Sequence, residues 1–251
     1  MEKGKKNETF EKVMPHVVGK LDMVIAFDTT GSMARYIGAV RAQVADLIPE
    51  LFRDNKDLRL GIVAFGDYCD MPNAQEFGDA YQVVQPTDNA NELIKFVKEA
   101  RDTGGGDWPE FYELVIKKIV EETPWREGST RSILLIADAV PHEVGYSFEG
   151  IVKDNQIDWR KEAVKALERG IKIDTVTIRD EEWFKALSMM TDGVSVPFRS
   201  GEKTADLVRA SVSARGSMES RMAFDKMMAD CTDGEMMSVL RSYKKTRDKL
   251  F

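Results

Sequence analysis

LDMVIAFDTTGSM, residues 21–33, decides how the rest of the chain is read. Its first seven residues are an almost unbroken apolar run with β-branched members, the pattern of a strand covered on both faces. The run then stops, and Asp28, Thr30 and Ser32 follow at every second position. Three small oxygen-bearing side chains just past the end of a buried strand could bind a metal, attack a substrate, or start the next helix.

Working outward, further short apolar runs lie at 58–65, 81–85, 132–137, 171–178 and 194–198. Between them, residues recur at helical spacing. Ile37, Val40, Val44, Leu47, Ile48 and Leu51 mark a helix over 33–53. Leu93, Ile94 and Val97 mark one over 89–101. Phe111, Val115 and Ile119 mark one over 109–122, with Pro109 as its first residue. Further helices fit 158–169, 181–190 and 203–215. Strands alternating with helices predict an α/β fold: a doubly wound, mostly parallel six-stranded sheet with helices on both faces. The segmentation expected is an N-terminal extension over 1–17, one domain over 18–215 and a helical C-terminal extension over 216–251. Six of the thirteen methionines fall between 218 and 237, as adaptable packing or as a docking surface.

Composition narrows the function. The 251 residues are 43% hydrophobic and 31% charged, with a net charge of −7 and scattered acids. Nothing resembles a nucleic-acid footprint. Only Cys69 and Cys231 occur, far apart, so a disulfide framework is not expected and a reducing compartment is. The first twenty residues are polar, and no run of about 18 apolar residues appears. The expectation is a soluble, cytoplasmic protein with no membrane contact.

In a doubly wound sheet, ligands sit beyond the carboxyl ends of the strands. Asp28, Thr30 and Ser32 follow the first strand, Asp67 the second, and Asp138 the run at 132–137. The segment DTGGGDWPE adds Thr103, Asp107 and Glu110. Four segments thus send oxygen donors toward one rim, a set suited to magnesium, calcium or manganese and not to zinc. Helix capping by Asp28 or Ser32 leaves Thr30, Glu110 and Asp138 unexplained. TGGGD lacks the ending of a phosphate-binding P-loop. Ser32 as a nucleophile would need a base, and neither His16 nor His142 has motif context; His142, in VPHE, reads as a turn residue. His16, His142, Cys69 and Cys231 do not have the spacing of a zinc site.

DTTGSM resembles the D-x-S/T-x-S motif of von Willebrand factor A domains, their metal-ion-dependent adhesion site. The likeness covers roughly 18–215 in element order, and it implies Asp28, Thr30, Ser32 and Asp138 as metal residues. DWPE is similar to the D-x-P-E found in the A-like domains of integrin β subunits, which implies Glu110 as a ligand, with Asp107 helping a neighbouring oxygen site together with Asp67. Gly105 stands where that site has an Asn. Thr103 is the fallback for the Thr that most members use. The resemblance implies a non-enzymatic protein–protein interaction module, an adaptor in a cytoplasmic assembly. A partner Asp or Glu would complete the coordination of Mg2+, or of Mn2+ or Ca2+. The alternative is a hydrolase using the same ion to activate water, for which no general base is evident.

Overall fold

The computed structural model describes residues 19–197 and 203–248. The expected N-terminal extension, and Phe198 of the last apolar run, lie outside the described residues.

The chain runs β1 (Leu21–Asp28), α1 (Ala34–Asp54), β2 (Leu58–Phe65), β3 (Tyr81–Thr87), α2 (Ala90–Glu99), β4 (Pro109–Glu110), α3 (Tyr112–Glu122), β5 (Thr130–Ala137), β6 (Val140–Pro141), α4 (Trp159–Glu168), β7 (Ile171–Thr177), α5 (Glu182–Met190), β8 (Ser195–Pro197), α6 (Thr204–Arg215), α7 (Met218–Asp230) and α8 (Gly234–Asp248). Six strands form one sheet in the order β3-β2-β1-β5-β7-β8. Only β3 is antiparallel. It is an edge strand, which is why Pro86, lacking an N–H, is tolerated in it.

All eight residues of β1 are buried, because β1 is central and both its faces are covered. Leu21, Met23, Ile25 and Phe27 face α1, α2 and α6 in one core. Val24 and Ala26 face α3, α4 and α5 in the other. Helices α7 and α8 join the first core through Phe224, Leu240 and Tyr243, all fully buried.

The strand order places the site. From β1 the chain moves outward through β2 and β3, whereas β5, β7 and β8 extend the other way. The carboxyl ends of β1 and β5 therefore meet where the winding reverses, the place at which such sheets hold ligands.

One expectation fails. Pro109 does not open a helix. Pro109 and Glu110 pair in parallel with Val140 and Pro141 as a two-residue ribbon, and α3 begins at Tyr112. Proline's fixed φ suits a short extended piece as well as a helix start. The pairing with β6 decides between them.

Candidate metal centre on the sheet rim

Asp28 is the last residue of β1 and is wholly buried. Its Oδ1 accepts the Thr30 backbone N–H at 2.8 Å and the Thr30 hydroxyl at 2.7 Å. Thr30 Oγ1 lies 3.3 Å from Ser32 Oγ, which donates to Asp138 Oδ1 at 2.8 Å. Asp28, Thr30, Ser32 and Asp138 thus form one continuous chain of oxygens across the ends of β1 and β5. Asp28 does not act as a helix cap, because its Oδ1 is taken by Thr30 within its own turn.

Glu110 reaches the same rim from β4. It is 3% exposed, and its Oε2 is buried without a hydrogen-bond partner. Gly105 makes room for it. That residue sits at φ +68°, and a Cβ there would lie 2.9 Å from Glu110 Oε1 and 3.2 Å from Thr30 Cβ. The glycine loop is also pinned from outside, since Asp70 Oδ1 accepts Gly104 N–H at 2.8 Å and Gly31 N–H donates to Gly104 O at 3.0 Å. Thr103 is turned away. Its hydroxyl lies 2.9 Å from that of Thr29 and packs on Gly66.

Electrostatics set this rim apart. Burial, with Asp138 nearby adding repulsion, lifts the Asp28 carboxyl to about 7, although bonds from Tyr112 and Thr30 oppose the rise. Burial, together with Asp28 and Asp67, pushes Glu110 to about 10. The only guanidinium ion-paired to the rim chain among the described residues is Arg179, whose Nε lies 3.6 Å from Asp138 Oδ2. Arg179 is half exposed and stacks over Trp108 at 4.2 Å, and Trp108 itself is 40% exposed.

Three residues that sequence reading missed complete the surroundings. The Tyr112 hydroxyl donates to Asp28 Oδ2 and accepts the Ala139 N–H at 3.2 Å, so one side chain clamps the ends of β1 and β5 together. Nothing in FYE signals this, because the bond spans 84 positions. Glu113, on α3, accepts from the Tyr68 hydroxyl, the Asn155 amide and the His142 backbone N–H, and burial raises its carboxyl to about 8. His142 does lie in the irregular segment after β6, as VPHE suggested, but it is buried and paired. Its ring is 1% exposed, its Nε2 lies 2.8 Å from Asp67 Oδ1, and Tyr146 stacks on it at 3.6 Å. Asp107 is exposed and belongs with this second group. Ligand atoms of Asp67, Asp107 and His142 all lie within 4.8 Å of one another.

The rim's donors are hydroxyls and carboxylates alone, which match a hard divalent cation, and the unpartnered Glu110 oxygen fits the same ion. The sequence profile of the von Willebrand factor type A domain family matches residues 22–209. The chain belongs to that family. Domains of this type are in general protein–protein interaction modules, and many bind a divalent metal. The chain is 30% identical over 130 residues to the alpha-protein kinase vwkA of Dictyostelium discoideum, matching 50% of this chain and 19% of that protein. It is 24% identical over 122 residues to a putative ariadne-like RING finger protein, R811, of Acanthamoeba polyphaga mimivirus, matching 49% of this chain and 11% of that one. The matches thus span less than a fifth of either relative's length. Among solved structures, the pilus adhesin SpaC of Lactobacillus rhamnosus GG superposes with a TM-score of 0.59 at 15% identity, covering 78% of this chain and 30% of the adhesin. Proximal thread matrix protein 1 of the mussel byssus gives 0.57 at 12% identity, covering 78% and 48%. These likenesses bear on the fold alone.

Among the described residues, no helix is long and apolar enough to cross a membrane. Cys69 and Cys231 are both free thiols.

Proposed function

We propose that this vWA domain is a non-enzymatic, cytoplasmic adaptor that holds Mg2+ on its rim and binds a partner protein through it. Asp28, Thr30, Ser32, Asp138 and Glu110 would hold the ion. The ion supplies a positive centre with a free position for an Asp or Glu carboxylate of the partner. One observation carries the reading: the buried oxygen chain from Asp28 to Asp138 lies beside a buried, unpartnered Glu110 oxygen, with only a half-exposed arginine among the described residues to offset its charge. Buried carboxylates without countercharge are costly, and a divalent cation relieves several at once. Glu110 serves better than Thr103 as the second-loop ligand, because Thr103 is tied to Thr29.

Trp108 and Arg179 flank the rim and would read the residues beside the incoming carboxylate, the aromatic as an anchor and the guanidinium as a second acid receptor. The hydrolase reading loses ground. His142 is closed beneath Tyr146 and bonded to Asp67, so it does not face the solvent where a substrate would arrive.

The test is retention of proteins on the immobilised chain in magnesium, in chelator, and with Asp28→Ala. Support is a partner held only by wild type in magnesium, whose binding is then lost when one of its own acidic residues is replaced. Equal retention in chelator, or by a folded Asp28→Ala, contradicts it.

A further inference from the structure

Beside the rim lies a second group of different chemistry. Asp67 follows β2, Asp107 precedes β4 and His142 follows β6, so three separate loops bring one ligand atom each to a common centre. Asp67 is 0% exposed and His142 is 1% exposed. Each has an atom buried without a partner: Oδ2 of Asp67 and Nδ1 of His142. Asp67 makes no ion pair with a lysine or arginine among the described residues; its carboxylate meets the His142 imidazole and accepts the Asp70 backbone N–H. A second acid, Asp107, stands beside this pair and Glu110 lies near enough to feel the Asp67 charge. A buried carboxylate with no lysine or arginine beside it among the described residues, and with further acids around it, is incomplete as a purely structural device.

We propose that Asp67, Asp107 and His142 form a second cation site, which takes a borderline divalent transition metal of the zinc–cobalt class. One imidazole with two carboxylates is a donor set for such ions, whereas magnesium and calcium favour oxygen alone. The imidazole also separates this site from the oxygen-only neighbour that the integrin-type likeness implies. The supporting contacts are those of a held ligand set. The Tyr146 hydroxyl donates to Asp107 Oδ2 at 3.3 Å while its ring packs flat on His142, and Glu113 fixes the His142 backbone N–H at 3.2 Å. Asp107, exposed at the surface, gives an ion its way in. The site would sit next to Glu110 and so couple to the rim, but it does not depend on the rim holding magnesium.

The experiment uses the full chain, stripped with chelator and then kept in millimolar magnesium, titrated with Co2+ and followed by visible absorption and calorimetry. Wild type is expected to show one Co2+ equivalent with ligand-field bands, and Ser32→Ala to keep them. Asp107→Asn and His142→Gln are expected to weaken binding by more than about tenfold, because each removes a ligand. Asp107→Asn alters an exposed residue and keeps the test open if His142→Gln fails to fold. A silent wild type, unchanged binding in a folded Asp107→Asn, or loss of the bands in Ser32→Ala would overturn the proposal.

Discussion

The same sheet buries carboxylates in two ways. Away from the rim they are neutralised by arginine. Asp22, at the start of β1, is 0% exposed and accepts from Arg59 at 3.0 and 2.9 Å, from Arg126 Nε at 2.7 Å, and from the Arg126 backbone N–H at 2.6 Å. Those bonds hold its carboxyl below the usual range, despite burial. Asp174, inside β7, takes both guanidinium nitrogens of Arg215 at 2.5 Å, plus the Ser211 hydroxyl and the Val194 N–H. At the rim, Asp28, Asp67, Glu110 and Asp138 are equally buried, yet among the described residues they get hydroxyls, a tyrosine, a histidine and one half-exposed arginine. The chain therefore has the means to satisfy a buried acid internally and does not use them where strands β1, β2 and β5 end. The charge left over there is what a cation would meet.

The contrast can be broken first at its structural end. Arg215→Ala leaves Asp174 buried and uncompensated and removes the guanidinium over the Tyr243 ring, 5.4 Å from its centroid, that helps seat α8. Loss of about 3–5 kcal/mol is expected in denaturant melts, with no rescue by magnesium. A loss under about 1 kcal/mol would remove the distinction between the two regions.

Next in size is the pH response without metal. Asp28 has its folded-state value raised from 3.8 to about 7, so its contribution to stability is full below pH 4 and is lost as the pH rises through 7. Glu110, raised from 4.5 to about 10, extends the decline upward. Asp22 moves the other way, and its contribution is already complete above about pH 4. The Asp28 share of this loss in chelated protein is expected to be about 2–3 kcal/mol between pH 5 and 7, with Glu110 adding to it and carrying it higher, and magnesium should flatten that slope. A chelated protein that gains stability over this range would show the rim acids to be compensated already.

Tyr112→Phe sharpens the comparison from inside the rim. It removes the donor to Asp28 and the acceptor for Ala139 N–H without opening a cavity. A loss of about 1–3 kcal/mol is expected, together with weaker magnesium binding, read by thermal melts and calorimetry. The smallest effect is expected away from both regions. Met222 is 66% exposed on α7, and Met222→Gln should change stability by no more than about 0.5 kcal/mol and leave metal binding untouched.

Much of this was legible in the sequence, for reasons that also mark the boundary. The continuous apolar run at 21–27 gave away a doubly covered strand, and it is the centre of the sheet. Asp28, Thr30 and Ser32 stood out because their neighbours in sequence are their neighbours in space. Asp138 could be read from its place just after a strand. Tyr112, His142 and Asp70 could not. Each acts across 27 to 84 positions, through a clamp, a stacked ring or a pinned glycine loop, and no local pattern encodes such a contact. Glu110 was located but its backbone was misread, because the two-residue pairing of β4 with β6 is a tertiary contact that outweighs the helix signal of Pro109.

The most direct measurement is magnesium binding by calorimetry beside thermal melts, for wild type and for Ser32→Ala, which removes the hydroxyl linking Thr30 to Asp138 but no charge. One saturable magnesium site with a rise in melting temperature is expected for wild type, and loss of both is expected for a folded Ser32→Ala. Identical melting of wild type across millimolar magnesium and chelator, with no heat of binding, would contradict a cation-holding rim.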